Sequence, residues 1–175
     1  MDTVKSTFFQ IIKRKESLLF LVLIIAGISI LGWLSGEMGL AAISSAYIPI
    51  APVTAIVFII LCILFFVNNN QEKSRFTKSI VTFFVIILAF FCGLMFLNHT
   101  LNFLSDIENI FIKNTNKIGS VPIGHMSPIT SILFVFICII ILIIRNNNSN
   151  KFKYIGSILS LLVFFVSSVL LLGYL

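Results

Sequence analysis

The chain has 175 residues, of which 59% are hydrophobic and 10% are charged. Soluble domains contain about 45–50% apolar and about 25% charged residues, so this composition excludes a water-soluble globular domain. The net charge of +6 does not indicate nucleic acid, because the basic residues form short clusters beside apolar runs, as in membrane proteins. We expect an all-α polytopic bundle of transmembrane helices, with the lipid bilayer as its partner.

Five apolar runs follow one another along the chain. Each approaches the about 20 residues that a helix needs to cross a membrane, and each is continuous, which favours helices over barrel strands. The first run resembles a signal peptide, but its 17 residues exceed the usual apolar region of about 7–15, so we interpret it as a retained span. The predicted spans are about 18–36, 47–67, 79–98, 127–145 and 154–175.

The basic residues predict the orientation of these spans. Ten of the 12 basic residues lie in the segments 1–17, 68–79 and 145–153, and only Lys113 and Lys117 lie in the two remaining connections. Short cytoplasmic loops are enriched in Lys and Arg. We therefore expect a multi-pass protein of the bacterial inner (plasma) membrane, with its N-terminus in the cytoplasm and its C-terminus outside.

The long outer connection, 98–127, contains one helical pattern. Leu101, Leu104, Ile107 and Phe111 recur at spacings of three and four residues, which is one face of a helix. The pattern predicts a short helix over about 101–113 that lies in the outer interface. The alternative is an extension of the third span.

The second and fourth spans contain an internal repeat. Pro52, Thr54, Phe58 and Cys62 recur 76 residues later as Pro128, Thr130, Phe134 and Cys138. Spans one, three and five instead contain a glycine near their ends, at Gly32, Gly93 and Gly173. With the glycine-ended helix named A and the proline-started helix named B, the order is A-B-A-B-A, a parallel repeat because successive pairs enter from the same side. The order predicts a sixth helix of the B type after Leu175, and a face of the fifth helix that lacks its B partner.

The repeated helix starts have a simple chemistry. Proline in the first turn costs no helical hydrogen bond, and Thr54 and Thr130 can bond main-chain amides or a neighbouring helix. These positions therefore either define helix starts alone or also contact a ligand.

The same segments, IPIAPVTAIVF at 48–58 and GHMSPITSILF at 124–134, resemble a known element. They are similar to the repeated helix start, roughly Met-x-Pro-x-Thr-Ala-x-x-Phe, of the N-terminal multi-span regions of bacterial sensor histidine kinases and related PAS- and GGDEF-containing receptors. Ser131 stands at the alanine of that pattern. The resemblance implies a membrane region that senses a cue and passes it to cytoplasmic output domains.

The sequence also departs from that family. It has no phosphoacceptor histidine helix, ATP-binding domain or GGDEF motif, so we expect a non-catalytic sensor module that associates as a homodimer or with other membrane helices. The expected outer C-terminus is on the wrong side for an intracellular output domain. The chain is then either part of a longer receptor, such as a histidine kinase, or a stand-alone protein. The alternatives are a small transporter, a haem- or quinone-binding subunit and a structural membrane partner.

The two histidines are predicted at the outer end of the bundle. His99 follows the third span and His125 precedes the fourth, with Met95 one turn before His99 and Met126 beside His125. Imidazole and thioether groups can bind copper or contact a haem. These four residues form our predicted site for an unknown small ligand, and the alternative is that they only occupy the interface. The sequence specifies neither a metal nor a cofactor.

Other polar and aromatic residues have ordinary interpretations. Trp33, Tyr47 and Tyr174 are typical of the aromatic belt at a membrane interface. Glu37, Asp106 and Glu108 are either solvated or form an outer site for a cation.

Overall fold

The computed structural model describes residues 2–42, 48–69, 75–101, 117–118, 121–122, 124–146 and 150–174. Within them the chain is helical apart from one short antiparallel strand pair, in which Lys117 pairs with Pro122 and Ile118 with Val121. The elements are α1 (Asp2–Ser35), α2 (Met38–Ala41), α3 (Pro52–Asn69), α4 (Arg75–Leu101), β1 (Lys117–Ile118), β2 (Val121–Pro122), α5 (Pro128–Asn146) and α6 (Asn150–Tyr174). The predicted all-α class is confirmed.

Four of the described helices are long and apolar enough to cross a membrane. Their apolar stretches are Glu16–Ser35, Phe76–Leu101, Pro128–Arg145 and Asn150–Leu172. They agree within a few residues with the predicted first, third, fourth and fifth spans. Helix α1 as a whole begins earlier, at Asp2, ahead of its apolar stretch. The four helices therefore agree with the membrane protein that the composition predicts.

The second predicted span differs from the structure. We expected it to begin at residue 47, but α3 begins at Pro52, and its apolar part, Pro52–Val67, is shorter than the other four. Proline disfavours a helical conformation in the residue before it, so Pro49 and Pro52 prevent the helix from starting earlier. At 1.5 Å per residue the apolar part is about 24 Å long, against the about 30 Å of a hydrocarbon core.

The outer connection is described only in part. Helix α4 continues to Leu101, three residues beyond the predicted end of the third span. The helix predicted over 101–113 otherwise lies outside the described residues. The sequence did not predict the strand pair that follows.

The chain forms two compact units. Unit 1 comprises Met1–Glu72 and Phe111–His125, and unit 2 comprises Lys73–Ile110 and Met126–Leu175. In unit 1, α1 packs against both α2 and α3. In unit 2, α5 packs against both α4 and α6. Each unit is thus built around one helix pair that corresponds to a predicted A-B pair.

The helix pair of unit 1 is antiparallel. Near the end of α1, the indole of Trp33 bonds the carbonyl of Ile50, just before α3. Closer to the start of α1, the Cys62 thiol of α3 lies 3.8 Å from the carbonyl oxygen of Leu19. Residue numbers therefore rise along α3 as they fall along α1. Gly36, with φ +78°, ends α1 in the left-handed conformation that glycine adopts at helix ends and so allows the chain to turn.

The helix pair of unit 2 is built on a heptad-like stripe. The buried side chains of α4 are Val81, Val85, Leu88, Cys92 and Met95, which alternate spacings of four and three residues and so form one narrow face. On α5, Ser131, Phe134 and Cys138 are buried at the same kind of spacing.

Helix α6 is much more exposed than the other long helices. Gly156 is its only buried residue among those whose side chains are described, while Leu161, Phe164 and Leu172 are each more than 70% exposed. These apolar surfaces suit a lipid environment or contact with further protein.

Candidate functional site

The most elaborate polar arrangement in the described chain surrounds the indole ring of Trp33 in unit 1. The Trp33 side chain is buried, and its Nε1–H donates to the carbonyl oxygen of Ile50 at 2.8 Å. The hydroxyl of Ser29, one turn earlier on α1, lies 3.4 Å from the same oxygen. We call Ser29, Trp33, Ile50 and Gly124 the Trp33 site. We expected Trp33 in the interfacial aromatic belt; in the structure its ring is buried within unit 1.

The Trp33 site supplies hydrogen-bond partners for main-chain groups that the two prolines keep out of a helix. Residues 48–51 are not helical, so the main-chain groups of Ile50 have no partner within a helix, and unpaired main-chain groups are costly in an apolar environment. The Ile50 carbonyl accepts from Trp33, and the Ile50 amide donates to the carbonyl oxygen of Ala41 at 2.8 Å. The extended segment is therefore fixed to both α1 and the end of α2.

Gly32 allows α2 to pack closely on α1. A Cβ atom at Gly32 would lie 2.9 Å from the amide nitrogen of Ala41 and 2.9 Å from Cβ of Leu40. Any side chain there would push α2 away. Since Ala41 holds Ile50, this close approach also positions the Trp33 site.

The outer connection contributes Gly124 to the same site. A Cβ atom at Gly124 would lie 2.9 Å from Cη2 of the Trp33 ring, and the φ angle of +96° is in the left-handed region that favours glycine. The main chain at Gly124 therefore lies directly against the indole. Because Gly124 belongs to unit 1 and Met126 to unit 2, the chain enters unit 2 two residues after this contact.

The repeated helix starts share some features and differ in others. The amide of Ala55 donates to Ala51 at 3.0 Å, and 76 residues later the amide of Ser131 donates to Ser127 at 3.0 Å. Both Cys62 and Cys138 are buried, and so are Ala55 and Ser131. The other repeat pairs differ in burial. Thr54 is buried and Thr130 is half-buried, whereas Phe58 is half-buried and Phe134 is buried. Pro52 is buried and Pro128 is exposed.

The glycines of the A helices are not equivalent. Gly32 is in tight contact with α2, whereas a Cβ atom at Gly93 would meet nothing within 4 Å. The third glycine, Gly173, has no described side-chain environment. The glycine endings therefore give the repeat less support than the proline starts do.

The four residues of the predicted ligand site differ in burial and are divided between the two units. Met95 and Met126 are almost completely buried in unit 2, and His99 is exposed in the last turn of α4. His125 is half-buried and belongs to unit 1. Among the described residues no group of three or more His, Cys, Asp or Glu side chains could hold a metal. The ligand site stays a prediction.

Sequence reasoning missed the partnership of Ser29, Trp33 and Ile50, although a signal for it was present. Pro49 and Pro52 exclude a helix at Ile50, so its carbonyl needs a donor from another segment. Within the apolar run of the first span, Ser29 and Trp33 are the only side chains that can donate a conventional hydrogen bond.

No family model, curated protein or solved structure matches this chain. The function is therefore argued from the residues of the chain itself.

Proposed function

We propose that this chain is a non-catalytic signal-input module of a membrane receptor, in which a cue received on the outer side changes the packing of the two helix pairs. The resemblance of the two proline-started helices to those of sensor histidine kinases supports this class. The proposal requires a physical route from the outer connection to the membrane helices. The Trp33 site supplies a candidate for that route.

The contact between Gly124 and Trp33 is the observation that carries the proposal. The connection that follows α4 contributes β1, β2 and Gly124 to unit 1 and then leads into α5 of unit 2. A cue that moves this connection would change the support of Trp33 in unit 1 and the start of α5 in unit 2. Packed helices switch between discrete arrangements instead of deforming continuously, so a small displacement there can become a defined shift.

We also propose that the chain crosses the membrane five times in the A-B-A-B-A order, with the N-terminus inside. Helix α3 is short, but it runs antiparallel to α1 and is preceded by the extended segment 48–51, which reaches the last turn of α1 through Ile50. Non-helical backbone at membrane depth is tolerated where protein surrounds it. Pro49 and Ala51 are buried, and the Ile50 carbonyl and amide are both bonded. Helix and segment together can complete the second crossing.

The test perturbs the Trp33 site and measures the reactivity of a cysteine in the proposed inner connection between α3 and α4. Ser74 lies in the segment that joins α3 of unit 1 to α4 of unit 2, so a cysteine there reports on the inner connection. We expect Gly124→Ala, which clashes with the indole and strains the backbone, to change the rate of maleimide labelling of Ser74→Cys by at least about twofold, a shift of about 0.4 kcal/mol. Labelling is measured in lipid nanodiscs, where both faces are accessible.

The matched control is Gly39→Ala, which adds the same methyl group in unit 1 at a position with nothing within 4 Å. It should leave the labelling rate unchanged. The three native cysteines are buried. Any maleimide labelling of these cysteines is measured in the chain that lacks Ser74→Cys and is subtracted. Trp33 is the only tryptophan, so its fluorescence verifies that Gly124→Ala disturbed the site. Altered fluorescence with an unchanged labelling rate would reduce the Trp33 site to a local structural contact and refute the proposed route.

A further inference from the structure

One end of unit 2 gathers basic side chains from three helices. Lys78 lies in the first turn of α4, Arg145 in the last turn of α5, and Lys151 and Lys153 in the first turn of α6. We call these four residues the basic cluster. The three lysines are exposed and Arg145 is half-buried.

Hydrogen bonds and packing bring these helix ends together. The guanidinium group of Arg145 donates to the main-chain carbonyl of Lys78, which also accepts from the hydroxyl of Thr82 at 3.0 Å. The end of α5 is thereby fixed to the start of α4. A Cβ atom at Gly156 would lie 3.4 Å from Cγ1 of Ile144, so the beginning of α6 is in contact with the residue before Arg145. Lys153 is three residues before Gly156, about 4.5 Å along the helix.

The positive charge of this end is not balanced by acidic side chains of the same helices. The segments 73–101 and 126–175 contain six basic residues and no Asp or Glu. Like charges held together repel one another, and these segments contain no carboxylate to offset that repulsion. The basic cluster therefore favours an anionic ligand.

The surface next to the basic cluster indicates which anion. Ile144, Ile155 and Ile158 are 55%, 44% and 50% exposed, and Tyr154 is 69% exposed. We call these four side chains the apolar wall. A soluble anion would leave the apolar wall uncovered, whereas a phospholipid has a phosphate group that can contact the lysines and acyl chains that can cover the apolar wall. Basic side chains between membrane helices on the cytoplasmic side are a known type of surface for anionic headgroups.

We propose that the basic cluster binds the phosphate headgroup of an anionic phospholipid, whose acyl chains lie along the exposed apolar side chains of α5 and α6. Lys151 and Lys153 supply mobile ammonium donors, while Arg145 holds α5 against α4 and so positions Lys78. This site rests on the proposed orientation but not on the signalling role, so loss of that role would leave the lipid site intact.

The experiment measures which lipids remain on the full chain. The protein is placed in nanodiscs with equal amounts of phosphatidylcholine and phosphatidylglycerol, transferred to mild detergent, and examined by native mass spectrometry. We expect retained phosphatidylglycerol to exceed phosphatidylcholine. Each lysine near an anionic surface contributes about fivefold in affinity, so K151Q/K153Q should lower the enrichment about 25-fold.

Two matched variants separate site binding from overall charge and from folding. K113Q/K117Q removes the same number of charges from the outer connection and should keep the enrichment. K151R/K153R retains the charge and should also keep it. Equal loss in K113Q/K117Q, or no enrichment in the unmodified chain, would overturn the proposal.

A final arm distinguishes a lipid from a soluble anion and needs no variant. Inorganic phosphate at the same concentration as the lipid should not displace phosphatidylglycerol, because it cannot cover the apolar wall. Raising NaCl to about 0.5 M should weaken the enrichment, since salt screens exposed charges. Displacement by phosphate would show a soluble-anion site, and salt-independent retention would show that the lysines do not bind the headgroup. Either result would overturn the proposed lipid site.

Discussion

At the residue scale, one indole hydrogen bond fixes the segment before α3 to α1. The hydrogen bond from the Trp33 indole N–H to the Ile50 carbonyl oxygen is 2.8 Å long, whereas the Ser29 hydroxyl lies 3.4 Å from the same oxygen. The Trp33 indole is therefore the principal donor to that carbonyl. A buried acceptor that loses its donor costs about 1–3 kcal/mol. The contact explains why a tryptophan, with its apolar ring and single donor, occupies this position.

We therefore predict unequal effects of two substitutions in the Trp33 site. Trp33→Phe should lower the free energy of unfolding by about 1–3 kcal/mol, because it removes the N–H donor. Ser29→Ala should cost less than about 1 kcal/mol, because the stronger bond is retained. Titration with a denaturing detergent, followed by circular dichroism, measures both. An equal or larger loss in Ser29→Ala would show that the Trp33 bond is not the principal one.

At the element scale, hydropathy predicts helices well only where an apolar run and a helix end together. Helix α5 begins and ends within one residue of its predicted span because Pro128 fits a helix start and the apolar run stops at Arg145. Helix α3 begins later than predicted because residues 48–51 are apolar without being helical. Their conformation depends on partners in α1 and α2 that are distant in sequence, and periodicity contains no information about such partners.

Contact between α5 and α6 depends on the small size of Gly156, and this gives a second stability prediction. Its Cβ position lies 3.4 Å from Ile144 and 3.7 Å from Ile143, so alanine fits but leucine does not. Gly156→Leu should destabilise the protein by about 1–3 kcal/mol through overpacking, whereas Gly156→Ala should be tolerated. Gly27→Leu is the control, since nothing lies within 4 Å of that position. Equal losses in the two leucine variants would mean that α6 does not pack on α5 at Gly156.

At the scale of the whole molecule, the sequence predicted the class of the protein, and its ligand site stays a prediction. Composition and charge clusters indicated a membrane bundle, and the structure contains four membrane-length helices among its described residues. The predicted site of Met95, His99, His125 and Met126 rests on side-chain chemistry alone; His99 is exposed and the two methionines are buried. The Trp33 site emerged from main-chain groups that need partners, which residue types alone do not reveal.

An outer cue and an inner basic cluster both require the five-crossing arrangement with the N-terminus inside. Single cysteines at Ser6, Ser74 and Asn116 are treated on intact cells with a membrane-impermeant maleimide. Ser6 and Ser74 lie on the same side only if α3 completes a crossing, and α4 separates Ser74 from Asn116. We expect labelling of Asn116→Cys alone, with the other two reacting only after the membrane is permeabilised. Labelling of Ser6→Cys and Ser74→Cys without Asn116→Cys would show the reverse orientation. If Ser6→Cys instead behaves like Asn116→Cys and unlike Ser74→Cys, the second crossing is not made.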